Sequence, residues 1–176
     1  MQHGGLLGGL FMNATKDFKI LEAAEKDVPA LLAMIRELAE FEHLQQELEI
    51  TQASLQVALF GDHPSATAFL VFVEDEPVGY AVCYRTFSTF KGRPGIFLDD
   101  VYVRPAHRNR GFGRALLERV ARSGMEVNPG RYEWIALRWN KNALQFYRNL
   151  GAQVLNEWVL LRMSGEPLRR LIGGVS

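Results

Sequence analysis

The stretch GIFLDDVYVRPAHRNRGFGRALL, residues 95–117, decides how the rest of the chain is read. Ile96 to Val103 (IFLDDVYV) is rich in β-branched and aromatic residues and predicts a strand. A loop with Arg108, Arg110, Arg114, Gly111 and Gly113 follows. A helix is then expected from about Gly111 to Ser123, with Ala115, Leu116, Val120 and Ala121 on one face. A strand that runs through a glycine-rich loop into a helix N-terminus has the ingredients of an anion site: free backbone N–H groups, close backbone approach and positive charge. It is equally the start of an ordinary helix with solvated arginines. The Walker pattern is absent. The dinucleotide pattern G-x-G-x-x-G fails as well, because Ala115-Leu116 stand where a third glycine belongs.

Working outward, Phe18–Glu22 predicts a first strand, and Asp27-Val28-Pro29 a helix start that continues to about Glu42. Thr51 is placed to cap a second helix carrying Leu55, Leu59 and Phe60. Ala68–Glu74 and Val78–Arg85 flank the turn Asp75-Glu76-Pro77 and predict a hairpin. Beyond the central stretch, strands are expected over Tyr132–Trp139 and Trp158–Met163. A helix is expected over Asn142–Leu150, with Gly151 in a left-handed cap. Three strands in succession favour antiparallel pairing, and the later strand-helix-strand alternation favours a parallel crossover. The fold class is therefore α/β: a mixed, mostly antiparallel twisted sheet flanked by helices. Residues 17–165 form the expected domain. Residues 1–16 are expected to be a leader and residues 166–176 a C-terminal tail, with Met12 preceding a more ordinary protein start.

The chain has 176 residues and a formal net charge of zero, which argues against a general nucleic-acid binder. No apolar run approaches the roughly 18 residues of a membrane span. The lone Cys83 cannot form a disulfide within the chain, lies in the apolar pattern VGYAVCY, and suits a reducing compartment, the cytoplasm. His43, His63 and His107 have no metal-ligand spacing, so no metal is expected.

Two motifs together carry a resemblance. Arg108-Asn109-Arg110-Gly111-Phe112-Gly113, placed after a strand, resembles the acyl-CoA pyrophosphate loop of the GNAT N-acetyltransferase superfamily. Asn140 to Ala152 (NKNALQFYRNLGA) resembles that family's later N-x-x-A-x-x-F-Y-x-x-x-G helix. The stretches MIRELAEFEHLQQELEIT, FLDDVYVRPAHRNRGFGRALL and WNKNALQFYRNLGA narrow the likeness to the spermidine/spermine (diamine) branch, over about Phe18 to Leu161.

The resemblance implies transfer of an acetyl group from acetyl-CoA to a primary amine of a small polyamine or diamine, by direct attack in a ternary complex. Thialysine or another lysine-like amine is the alternative substrate. An acyl-CoA-binding sensor without activity is the alternative of another class. A lysine-like amine is neutral in only roughly one of a few thousand molecules at pH 7, so the site must remove a proton. Asp99 and Asp100 are the acids on that side, with Asp99 matching the family's amine contact and Asp100 supporting it. In a regular strand two neighbours face opposite ways, and a bulge would redirect them. Tyr147 matches the family's general acid, a phenol that protonates the departing sulfur.

By the same resemblance, Val101, Tyr102 and Val103 offer backbone to the pantetheine arm. Arg108, Asn109, Arg110, Gly111, Phe112, Gly113 and Arg114 surround the pyrophosphate, and Asn140, Asn142 and Tyr147 complete the acetyl-CoA contacts. Phe41, Glu42, Glu133, Trp134 and Ile135 fall at substrate positions. The acidic stretch with Glu37, Glu40, Glu42, Glu47 and Glu49 can attract a polycation, and most of these acids equally read as a solvated acidic face. The branch implies a homodimer, with no nucleic acid or membrane as partner.

Overall fold

The computed structural model describes residues 18–124 and 128–173. The expected leader therefore lies outside the described residues. One compact unit ends at Ile135 and a second begins at Ala136.

The first unit contains a five-stranded sheet in the order β1 (Lys19–Glu22), β2 (Thr67–Val73), β3 (Glu76–Ser88), β4 (Arg93–Val103), β5 (Tyr132–Trp134). The first three pairings are antiparallel and β4–β5 is parallel, so the mixed sheet expected from the element order is present. Between β1 and β2 run α1 (Val28–Glu42) and α2 (Gln52–Phe60). Helix α3 (Phe112–Gly124) is the crossover between β4 and β5.

The period of two along the strands sorts side chains to opposite faces. Ala68, Leu70, Tyr80, Val82 and Tyr102 join Leu31, Met34, Ile35, Leu55 and Leu59 in the core under α1 and α2. On the other face α3 buries Leu116, Leu117 and Val120, and Arg119 lies 4.2 Å over the Phe69 ring of β2. The sheet is thus covered on both faces. Thr51 caps α2 through the bond its side chain accepts from Ser54 N, as its position before the apolar run predicts. Asp27 stands at the start of α1 but makes no capping bond to that helix; its Oδ2 accepts instead from Ala24 N.

The second unit contains α4 (Lys141–Asn149) and α5 (Gly165–Leu171). Gly151 N–H donates to Arg148 O, and Ala152 N–H to Tyr147 O, with Gly151 at φ 92°. This is the left-handed helix stop predicted for that glycine.

Two expected strands differ. The Tyr132–Trp139 strand ends at Trp134, because its ladder with β4 stops at the Leu98–Trp134 pair. The Trp158–Met163 segment has strand-like composition but is not a strand; Trp158 is 67% exposed and Leu161 87%. A strand needs a neighbour for its N–H and C=O groups, and among the described residues none pairs with this segment. Helix α5 stands where a tail was expected.

Candidate active site

Strand β4 organises the candidate site. Opposite it on β3, Val82 pairs with Asp100 and Cys83 with Leu98, so Asp99 is the extra residue of a bulge. Beyond the bulge the β5 ladder does not continue. The edge of β4 over Val101–Val103 therefore carries no strand partner on that side among the described residues. An edge of this kind presents backbone donors and acceptors to an extended ligand.

The bulge leaves Asp99 exposed and Asp100 half-buried. Asp100 falls on the same face as Tyr80, whose phenol donates to Asp100 Oδ2 at 3.4 Å. Tyr80 is completely buried. Burial raises the Asp100 carboxyl from its ordinary value to about 7, with further pressure from the charges of Asp99 and Glu42. The Tyr80 hydrogen bond opposes this, because it favours the charged form. Glu42, at the C-terminal end of α1, is also raised by burial. Tyr80 is held well above the usual phenol value, first by burial and then by Asp100, so it stays a proton donor.

At the end of β4 the chain turns through Pro105–His107 into the loop. Asn109 (φ 61°) and Gly111 (φ 84°) both adopt left-handed backbone there. The first N–H groups of α3 point out of the helix without intrahelical acceptors, which favours an anion. The arginine side chains are engaged elsewhere. Arg108 donates from Nε to Val103 O at 2.9 Å, with its guanidinium 4.9 Å from the Phe41 ring and 5.7 Å from that of Tyr102. Arg110 lies 4.9 Å over Phe112, and Arg114 pairs with Glu118 at 2.8 Å. Phe112 itself is buried, its ring 4.8 Å from that of Phe18. Gly113 follows in the first turn of α3.

The remaining sequence-derived residues of the first unit have these places. Phe41 is exposed near the end of α1. Glu37, from the acidic stretch, is neutralised: Arg104 donates to it at 3.0 Å while also gripping Glu76 and the Pro77 carbonyl, tying α1 to the start of β3. Trp134 stands opposite Leu98, next to the bulge, with its ring 5.1 Å from Tyr132. Glu133 pairs with Arg131 at 2.6 Å, and Ile135 is half exposed. In the second unit, Asn140 is the cap of α4, accepting from Ala143 N at 3.1 Å. Asn142 is exposed, and Tyr147 is half-buried with its ring 5.3 Å from Phe146.

Cys83 is buried, and burial pushes its thiol up to about 11, so it is protonated near neutrality and a weak nucleophile. Among the described residues no group of three or more His, Cys, Asp or Glu is placed to hold a metal ion. No helix among them is long and apolar enough to cross a membrane. Two contributors were not visible in the sequence: Tyr80, which reads as one more apolar strand residue, and Arg104, which reads as the end of a strand.

Residues 30–152 match the model of the acetyltransferase (GNAT) family. The thialysine N-epsilon-acetyltransferase of Bos taurus is 37% identical over 165 residues, which cover 88% of this chain and 96% of that protein. The human spermidine/spermine N(1)-acetyltransferase-like protein 1 is 28% identical over 170 residues, 91% of this chain and 24% of that longer protein. Among solved structures, an integron cassette protein of V. cholerae superposes with a TM-score of 0.75 at 22% identity, covering 89% of this chain and 98% of that one. This last likeness concerns the fold alone.

Proposed function

Starting from the premise that the chain belongs to the acetyltransferase (GNAT) family and is an N-acetyltransferase, we propose that it moves the acetyl group of acetyl-CoA to a primary amine of a small polyamine or diamine. The observation that carries this reading is the layout of β4. One strand brings two acids to a bulge, frees a backbone edge and ends in an anion-suited loop.

The division of labour follows. Backbone of Val101–Val103 receives the pantetheine arm, and backbone from Asn109 to Arg114 takes the pyrophosphate at the start of α3. The side chains of Arg108, Arg110 and Arg114 shape and charge that loop more than they grip phosphate, because each already has neighbours. Phe41, Glu42, Glu133, Trp134 and Ile135 contribute to amine recognition. Asp99 contacts the amine through water, with Asp100 beside it. Asn140 and Asn142 belong to the acetyl-CoA contacts by their match to the family helix, and Tyr147 is the proton donor by the same match.

In the reaction the ammonium group first loses one proton. The nitrogen lone pair attacks the thioester carbonyl, the C–S bond breaks, and sulfur leaves with the electron pair and takes a proton from Tyr147. The new amide nitrogen gives up its second proton. The products are the N-acetylated amine, CoA thiol and one proton released overall. No covalent acetyl-enzyme is needed, in keeping with the protonated Cys83 thiol.

A lysine-like amine such as thialysine is the second reading for the substrate, favoured by the bovine relative's name. The test is release of CoA thiol from acetyl-CoA with spermidine, putrescine, lysine and thialysine in turn. Turnover with the polyamines above the others supports the first reading, and turnover with thialysine above them the second. CoA binding without turnover on any amine makes the protein an acyl-CoA sensor instead.

The same reading makes the protein a homodimer in a compartment that keeps its one thiol reduced, the cytoplasm. Sedimentation of the full chain at micromolar concentration distinguishes dimer from monomer.

A further inference from the structure

We infer that Tyr80 is a positioning residue for Asp100, and that Asp100, held by it, is the carboxylate that takes the first proton from the amine. The inference rests on the N-acetyltransferase reading and adds to it a residue on β3 that no motif marks.

Tyr80 carries a hydroxyl that packing does not require. Tyr80 lies in the middle of the core under α1 and α2, completely buried, where a phenylalanine would fill nearly the same space. A buried hydroxyl is costly unless it is hydrogen-bonded. The side-chain partner of Tyr80 is Asp100 Oδ2, at 3.4 Å. Because the ring is fixed by its neighbours, the hydroxyl is aimed rather than free to swing. It occupies one oxygen of the carboxylate and leaves Oδ1 for an incoming N–H, directly or through water.

The backbone explains why the Tyr80 phenol reaches Asp100. Val82 opposite Asp100 and Tyr80 opposite Tyr102 keep the two side chains on one face, whereas the bulged Asp99 is exposed. The charged and titratable groups facing Asp100 are Asp99 beside it on β4, Glu42 from α1 and Tyr80 from β3. The first two favour its protonated form, and the phenol favours the carboxylate. Burial is the largest influence and brings the carboxyl close to neutrality, where an acid can accept a proton and pass it on, as a general base at physiological pH must do. The acquired proton moves from the substrate ammonium to Asp100 Oδ1, and the nitrogen lone pair is freed for attack. Asp100 afterwards releases the proton to solvent.

The experiment uses the full chain with Tyr80→Phe, a change that keeps the ring in the core. kcat/KM for the best amine is measured from pH 5.5 to 9.5, and the Asp100 carboxyl is titrated separately by carbon NMR without acetyl-CoA. Losing a hydrogen bond to the charged form moves the Asp100 titration, and with it the acidic limb of the profile, up by about half to one pH unit. That lowers kcat/KM severalfold near pH 6.5 and spares it above pH 8.5. Asp99→Asn should retain an acidic limb, whereas Asp100→Asn should lose it. An unmoved NMR titration in Tyr80→Phe overturns the positioning role. An acidic limb that persists in Asp100→Asn overturns the proton-acceptor role. If the unaltered protein acetylates no amine, the acetyltransferase reading fails, while the NMR titration still decides whether Tyr80 tunes Asp100.

Discussion

Replacing Asp100 by asparagine should stabilise the fold at alkaline pH while removing most of the activity. The folded carboxyl titrates near 7 against an ordinary value of 3.8, chiefly because burial disfavours its charge. Between those values the folded chain keeps a proton that the unfolded chain has already lost. Folding therefore takes up a proton, and stability falls as pH rises through the window. Below about pH 4 the residue contributes no such cost, and above about pH 7 the cost is fully present. A window of about 3 pH units at ~1.4 kcal/mol each gives a ceiling of ~4 kcal/mol. Residual solvent contact and local adjustment bring the expected value nearer ~2–3 kcal/mol.

Asparagine is nearly isosteric and neutral at all these pH values, and its carbonyl can still accept from the Tyr80 phenol. Urea unfolding of both proteins at pH 5, 6, 7 and 8 separates the charge effect from any change in packing, because packing does not depend on pH. The stability gap in favour of the variant should widen by ~2 kcal/mol between pH 5 and pH 8, a midpoint difference of about 1–2 M urea. A gap constant across that range would refute the reasoning. It would mean that Asp100 is ionised throughout, already well solvated or paired in the folded state. Acetyl transfer measured on the same samples shows whether the group that costs stability is the one the reaction uses.

Three further outcomes follow from the geometry. Gly111→Val should raise the KM for acetyl-CoA about tenfold, because a β-branched residue is strained at φ 84° and distorts the loop, whereas Arg110→Ala should cost less; the reverse order would show that the arginine grips phosphate. Tyr147→Phe should lower kcat by roughly 10²-fold or more, with CoA affinity from calorimetry nearly unchanged; unaltered kcat would remove Tyr147 from the acid's role. Thr51→Ala should cost ~1 kcal/mol in urea unfolding through loss of the α2 cap, with KM values unchanged, and a neutral effect would mean that Ser54 satisfies the helix end without it.

The order in which features became legible along β4 has a physical basis. The anion-suited loop is written in consecutive residues, since glycines, the helix start and positive charge all act locally. The pair Asp99-Asp100 was noticeable as two acids in an apolar strand, but which of them is buried depends on a register. One strand has to slip by a residue against its neighbour, and nothing in IFLDDVYV alone states that Val82 and Cys83 will face Asp100 and Leu98. Tyr80 is less visible again, because its hydroxyl matters only once that register places it on the same face as Asp100. The excess length read into the last two strands has the same origin. YEWIALRW has strand composition to its end, yet β4 offers it partners only as far as Leu98, and WVLLRM has no partner among the described residues. Local propensity proposes a strand, and a neighbouring strand has to complete it. The anion-suited loop is thus a property of sequence neighbours, whereas the placing of Asp100 beside Tyr80 is a property of pairing. Substitutions at Gly111 should accordingly act on acetyl-CoA binding alone. Changes that shift the β3–β4 register, even far from any motif, should act on the pH dependence of turnover.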